Sequence, residues 1–287
     1  LFTLTYTFTN ANGCINSDTR NITVVAPTPA NAGPNVEACQ NSGVVALVGA
    51  PVGGTWSGAN VTPGGNYTPS TLGTFTLTYT FGIGSCSSTD VMDITVNPLP
   101  SVSAGIDESI CATEDVQLNG SVNGGEFPYG TPSWNNAGTL SASNIYDPIA
   151  SPMVTTTYTL TISDNNNCTS TDQVIVVVST LPVVNAGADI TLCDQPIPIS
   201  LTGYSPTVGG TGVWTGPNVS SGGVFTPNGV GVFTLTYTFT NSLSGCINSD
   251  QVSVTVVGLT IANAGPDQDL CLNGTALQLP IGGTWSG

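Results

Sequence analysis

The strongest constraint on this chain is the spacing of its cysteines. Cys14 and Cys39, Cys86 and Cys111, Cys168 and Cys193, and Cys246 and Cys271 are each 25 residues apart. Between these pairs the interval varies, at 47, 57 and 53 residues. Six residues before the second cysteine of each pair stands a Gly. It closes Asn-Ala-Gly at 31–33, 185–187 and 263–265, and Ser103-Ala104-Gly105 takes the same place. Four residues after the first cysteine comes an Asp: Asp18, Asp90, Asp172 and Asp250. One Trp falls in each copy, at Trp56, Trp134, Trp214 and Trp285. Self-similarity of this kind marks an array of like units.

The units divide the chain at short Pro-bearing steps such as Ala26-Pro27-Thr28-Pro29 and Asn97-Pro98-Leu99-Pro100. Such steps cannot continue a strand ladder. Residues 1–26 read as the C-terminal part of one repeat. Residues 27–98, 99–180 and 181–258 read as three full repeats, and 259–287 as the N-terminal part of another. The chain opens inside a strand pattern, so Leu1 reads as an internal position of something longer.

Within a repeat the periodicity is two. Phe75, Leu77, Tyr79 and Phe81 alternate with Thr74, Thr76, Thr78 and Thr80. Phe2–Phe8, Phe233–Phe239 and Tyr158-Leu160-Ile162 repeat the pattern, which describes a half-buried strand with Thr outward. A Gly/Asn turn and a Val-rich strand follow, making a hairpin. Val44–Val48 and the segment around each Trp supply further strands, and no stretch has helical periodicity. Short strands with frequent turns and one core Trp per unit predict an all-β fold, a tandem array of Ig-like β-sandwiches.

Composition narrows what such an array can do. The chain has one basic residue, Arg20, no Lys and no His, against 17 acidic residues, for a net charge of −16. Nucleic-acid binding and anionic membrane surfaces both require basic residues. A Walker-type phosphate loop needs Lys, and serine or cysteine triads need His. No apolar run approaches the ~18 residues of a membrane span. These features predict that the chain is not an enzyme, binds no nucleic acid and inserts no segment of this sequence into a membrane.

Eight cysteines with no CxxC pair and no His read as disulfides rather than metal ligands, which predicts an oxidising, extracellular setting. Their pairing has two solutions. Within repeats the pairs are Cys39–Cys86, Cys111–Cys168 and Cys193–Cys246, leaving Cys14 and Cys271 to partners beyond this sequence. In an Ig-like order, however, the two cysteines of a repeat lie at opposite ends of the sandwich. A seven-residue strand spans about 23 Å at 3.3 Å per residue, whereas a disulfide needs Cα atoms within roughly 7 Å. Head-to-tail packing then favours Cys39–Cys168 and Cys111–Cys246, stapling neighbouring repeats.

Carboxylates also recur in pairs. Asp107, Asp189 and Asp267 follow the Ala-Gly step, with Asn35 in the first full repeat. Asp90, Asp172 and Asp250 open the last strand. Because the first and last strands of an Ig-like domain run parallel, each pair meets at one end. The principal reading is capping of turn N–H groups and protection of edge strands. The lesser one is a Ca²⁺ site, for which two carboxylates are few. No cofactor is expected.

The module of AG-x-[DN]-x-x-x-C, W-x-G, GTFTLTYTF and N-G-C-x-x-S-D resembles the PKD-like and Ig-like repeats of giant cell-surface proteins of the Bacteroidota, including gliding-motility adhesins exported by the type IX system. Ala264-Gly265-Pro266-Asp267 through Cys271 and Thr157-Tyr158-Thr159-Leu160-Thr161 through Asp172 carry the likeness, which extends over the whole chain. The middle repeat departs most, with Glu126–Trp134 and Met153–Thr157 in place of its neighbours' Gly-Gly-Thr-Trp-Ser-Gly. The resemblance implies a bacterial cell-surface location and a structural role: a disulfide-stiffened spacer in an adhesin or extracellular fibre, whose partners are adjacent repeats of the same long chain. Two other functions compete with it. One is a ligand- or glycan-binding module, placed in the Ser121–Asn136 insertion around Phe127 and Tyr129. The other is a self-assembling filament of like chains.

Overall fold

A computed structural model describes residues 1–203, 209–272, 274 and 276–286. The chain divides into two compact units, Leu1–Val177 and Val178–Gly287.

The first unit opens with a two-stranded antiparallel hairpin, β1 (Phe2–Thr9) and β2 (Ile15–Ile22), with Phe2 opposite Ile22. Every residue of it is exposed, including the stripe of Phe2, Leu4, Tyr6 and Phe8. The alternation that predicts a half-buried strand is present, but among the described residues no second sheet covers its apolar face.

The next six strands form a sandwich: β3 (Val36–Cys39), β4 (Val45–Ala46), β5 (Thr55–Ser57), β6 (Asn66–Tyr67), β7 (Gly73–Phe81) and β8 (Ser88–Asn97). One sheet has the order β3-β8-β7-β5 and the other pairs β4 with β6. Strand β3 runs parallel to β8, with Val36 opposite Ile94, while β8, β7 and β5 are antiparallel neighbours. Alternation along β7 and β8 sends Leu77, Tyr79, Met92, Ile94 and Val96 inward against Leu47, Trp56 and Tyr67. Burying each such side chain stabilises the fold by about 1.5–3 kcal/mol. The Thr face stays in solvent, where the Thr76 hydroxyl donates to Asp93 at 2.7 Å.

The middle repeat contains β9 (Pro100–Ser103), β10 (Glu108–Cys111), β11 (Val116–Gln117), β12 (Ser121–Gly124), β13 (Ser133–Trp134), β14 (Ile149–Ala150), β15 (Thr156–Ser163) and β16 (Thr169–Ser179). Its main sheet, β10-β16-β15-β13, keeps the order of the preceding repeat, and β11–β14 replaces β4–β6. The difference lies in β12, which folds back to pair with β9, Ser121 opposite Ser103. The insertion expected at Ser121–Asn136 is thus partly a sheet. Leu118, Trp134, Tyr158, Leu160, Ile162, Val174 and Val176 are buried.

In the second unit the sandwich recurs with β17 (Ile190–Cys193), β18 (Ile199–Ser200), β19 (Gly210–Thr215), β20 (Val224–Phe225), β21 (Gly231–Asn241) and β22 (Ile247–Val257), in sheets β17-β22-β21-β19 and β18-β20. Its core gathers Leu201, Trp214, Phe225, Leu235, Val252, Val254 and Val256. The chain is therefore an all-β tandem array of Ig-like sandwiches.

The three buried Trp residues each pack on the second strand after their own. Trp56 lies opposite Tyr79 and Trp214 opposite Tyr237, each with ring centroids 5.1 Å apart. Trp134 lies opposite Leu160, and its indole N–H donates to the Ile145 carbonyl at 2.9 Å. A glycine closes the Trp214 pocket: Gly223 has φ +86°, and a Cβ there would stand 2.8 Å from both the Leu201 carbonyl and the indole. Trp285, expected in a core, is instead 52% exposed. The described residues of 259–287 form no strand. The hairpin on which the other three indoles pack follows each of them in sequence.

Candidate functional site

Among the described residues, the features repeated in every sandwich are the seam between the turn at Ala-Gly and the last strand, and the cysteines at its ends. Asn-Ala-Gly builds the start of that seam. The Asn31 carboxamide accepts the Gly33 N–H at 2.7 Å and Asn185 accepts that of Gly187 at 2.8 Å, with the Ser103 hydroxyl accepting from Gly105 at 3.3 Å. In these turns the third residue takes positive φ, at +86°, +98° and +91° for Gly33, Gly105 and Gly187, a conformation that favours glycine. The middle Ala is buried in each case: Ala32, Ala104 and Ala186.

The paired acids close the seam from both sides. Asp90, Asp172 and Asp250 on the last strand accept the N–H of Ala32, Ala104 and Ala186 at 2.7, 2.8 and 2.8 Å. In the other direction, Asn35, Asp107 and Asp189 accept the N–H of Asp93, Ile175 and Ser253 at 2.9, 2.8 and 2.9 Å. On both strands the acceptor and the N–H that its partner captures are three residues apart. The two strands thus catch each other reciprocally ahead of the parallel ladder. Only an acceptor is required, which is why Asn35 can replace Asp. The Ala186 N–H, and after it that of Gln251, holds the Asp250 carboxyl below its usual range. This arrangement is the capping predicted from the sequence, carried further into a latch. Among the described residues no group of three His, Cys, Asp or Glu side chains is placed to hold a metal ion. Asp18 accepts the N–H of Thr19 in the exposed hairpin.

Cys39 is bonded to Cys168, with S–S 2.03 Å and Cα atoms 5.5 Å apart. The bond joins the end of β3 in the first sandwich to the residue before β16 in the next sandwich. It excludes two of the within-repeat pairs, Cys39–Cys86 and Cys111–Cys168. The reason is strand length. Cys39 is level with Asn97, and β8 separates Asn97 from Cys86 by ten residues, roughly 33 Å at 3.3 Å per residue. Cys111 and Cys246 are each engaged. Cys14, Cys86, Cys193 and Cys271, expected in disulfides, are free and exposed.

The turn that presents Cys168 has an anchor the sequence reading missed. Asp164 is buried; one carboxylate oxygen accepts from Asn166 and Cys168, and the other from Glu126. Asn10 does the same for Asn12 and Cys14. The signal was an Asx residue four positions before the cysteine. In the insertion, Phe127 is 77% exposed and meets Tyr129 edge-on at 5.9 Å, while the Tyr129 hydroxyl is tied to the Gly124 carbonyl.

No protein-family model matches the chain, and no curated protein does. Solved structures similar to it include the three-Ig titin fragment I67–I69, at 12% identity and TM-score 0.38, covering 81% of this chain and all of that one. The N-terminal eight Ig domains of Down Syndrome Cell Adhesion Molecule align at 12% identity and TM-score 0.40, over 89% of this chain and 43% of that one. The insect immune protein hemolin aligns at 12% and 0.33, over 89% and 76%.

Proposed function

We propose that this chain is the structural repeat region of a large secreted bacterial surface adhesin or extracellular fibre, acting as a spacer stiffened by disulfides between neighbouring domains. The observation that carries the reading is the Cys39–Cys168 bond. A peptide linker alone leaves two sandwiches free to swing; a second covalent tie at the same junction removes most of that freedom. The recurrence of one latch in every sandwich, without a repeated pocket, supports a mechanical role over a catalytic one. The Bacteroidota-type module, the scarcity of basic residues and the oxidised cysteines favour a permanently exposed location, with adjacent repeats as the chain's partners.

Solution scattering on the intact chain tests the reading. Mild reduction is expected to shorten the mean end-to-end dimension while each sandwich keeps its strand signature. Dimensions unchanged by reduction would remove the stiffening role. One observation favours a second reading: Phe127, exposed and edge-on to Tyr129, gives the middle repeat a surface aromatic pair, as a glycan- or ligand-binding module requires. Retention of this chain on a glycan array, lost in Phe127→Ser, would support it.

A further inference from the structure

The segment 121–136 departs most from its neighbours in sequence, and in the fold it reaches the junction between the first two sandwiches. Cys39 ends β3 level with Asn97 at the end of β8, and the Gln40 N–H donates to the Asn97 carbonyl at 2.9 Å. Pro98 and Leu99 alone separate Asn97 from Pro100, the buried first residue of β9. Strand β12 pairs with β9 so that Gly124 lies opposite Pro100. Gly125 then passes between Pro100 and Asp164. A Cβ there would stand 3.1 Å from the Pro100 N and Cα and 2.8 Å from a carboxylate oxygen, and its φ is +63°. Glu126 makes two backbone bonds with the cysteine turn. Its N–H donates to the Asp164 carboxylate at 3.0 Å, and its carbonyl accepts from the Asn165 N–H at 2.9 Å. The other carboxylate oxygen accepts from Asn166 and Cys168 at 3.0 and 2.9 Å. At the equivalent place in the first sandwich Gly82 stands four residues before Cys86, and Cys86 is free and exposed.

We propose that Asp164 is a positioning residue for the Cys39–Cys168 bond, and that the insertion is a brace holding the two cysteines within reach before they are oxidised. The inference rests on the stapled-spacer reading and says how the staple finds its partner. Contacts run from Cys39 through Asn97, Pro100, Gly125 and Asp164 to Cys168. The disulfide therefore closes a ring that backbone and hydrogen bonds have already drawn. A short linker sets the spacing of two domains but leaves their orientation free. The carboxylate removes that freedom, because a buried polar group needs its hydrogen-bond partners in place. Closure is then an ordinary oxidation. Each thiol gives up one proton and one electron, the sulfurs join, and a disulfide oxidant such as oxidised glutathione is reduced to two thiols. Holding the pair close raises the effective concentration of one thiol at the other, which selects Cys168 for Cys39 without any new contact at the sulfurs.

Asp164→Asn separates the brace from the turn. An amide oxygen still accepts from Asn166 and Cys168, as the Asn10 side chain does for Asn12 and Cys14. The amide nitrogen then faces the Glu126 N–H, donor against donor, so the cysteine turn is kept and the brace is lost. Gly125→Ala displaces the insertion from the other side with the carboxylate intact. The 287-residue chain and both variants are equilibrated in mixtures of reduced and oxidised glutathione, quenched by alkylation and mapped as peptides. The bonded fraction gives the effective concentration of Cys39 at Cys168. Both variants are expected to lower it by about tenfold or more, the usual effect of losing one hydrogen bond to a charged group. In concentrated urea all three proteins are expected to coincide. A carboxylate that only stabilised its sandwich would lower the melting temperature and leave the effective concentration in the folded chain unchanged. That outcome overturns the positioning role and leaves the staple standing. Absence of a Cys39–Cys168 peptide from the unaltered chain would overturn the stapled-spacer reading itself.

Discussion

Asp172 accepts the backbone N–H of Ala104 at 2.8 Å across 68 residues of sequence. The bond ties β16, the last strand of the middle repeat, to the turn between β9 and β10. Its return partner, Asp107 to the Ile175 N–H, is equally short. Two such bonds fix how the first strand joins a sheet whose other strands are already paired as hairpins, and they set the level from which each cysteine-bearing strand end projects.

The latch makes stability depend on acid. Asp250 titrates below the ordinary carboxylate value in the folded chain because backbone N–H groups favour its ionised form. Its contribution is therefore complete above the unfolded pKa, about 3.9, and is lost as pH falls through the folded value. Thermal unfolding followed by circular dichroism is expected to show a flat Tm from neutral pH to about 5 and a decline below about 4. Asp250→Asn is expected to keep the fold, since an amide oxygen can accept the same N–H, as that of Asn35 does on the other side of its seam, and to flatten the decline. Asp250→Ala is expected to lower Tm at every pH. A decline identical in all three proteins would show that other carboxylates set the acid limit.

Indole burial separates the four Trp residues. Trp214→Ala is expected to cost about 3–5 kcal/mol in denaturant unfolding, the usual range for emptying an aromatic core site. Trp285→Ala is expected to change stability by less than about 0.5 kcal/mol, as for an exposed side chain outside a sheet. Gly223→Ala should resemble a core lesion although it removes nothing, because its positive φ and the indole 2.8 Å away both oppose a Cβ. Equal effects at Trp214 and Trp285 would contradict the placement of Trp285.

Removing the staple is expected to be costly. Cys39→Ser leaves the buried Cys168 thiol without its partner and is expected to destabilise unit 1 by about 2–4 kcal/mol, measured by chemical denaturation without reductant. With reductant present, the variant and the unaltered chain should converge. A difference that persists after reduction would mean that local packing around Cys39, not the bond, carries the effect.

Proteolysis should read out the scarcity of basic residues. Arg20 lies on the exposed strand β2 and is the one Lys or Arg in the sequence. Trypsin is expected to make a single cut there and to leave residues 21–287 intact, as judged by intact mass. The same enzyme on Arg20→Gln should do nothing. Extensive degradation of either protein would refute the view that this composition favours durability.

Alternation was enough to read the strands, because period two with Thr outward has one solution on a pleated sheet. Trp56, Trp134 and Trp214 were legible as core for a related reason: each recurs at one place relative to the hairpin that covers it. Asp107 and Asp172 were legible as neighbours, since parallel first and last strands bring them together. That they catch backbone N–H groups was visible only as a preference of Asp for turns. Asp164 escaped notice because a buried carboxylate and a surface turn residue look alike until the Glu126 N–H arrives from the insertion.

By itself the sequence determined the repeat unit, its strands, the inward face of each strand and the exclusion of chemistry that needs Lys or His. These are local matters of periodicity and side-chain type. Only the tertiary structure decided which cysteine meets which, that Phe2 and its stripe stand uncovered, and that Trp285 lies outside a core. Those depend on the distance between strand ends and on which sheet faces which. Eight thiols allow many pairings, and a ten-residue strand between Cys86 and the level of Cys39 is what selects a bond to the neighbouring repeat.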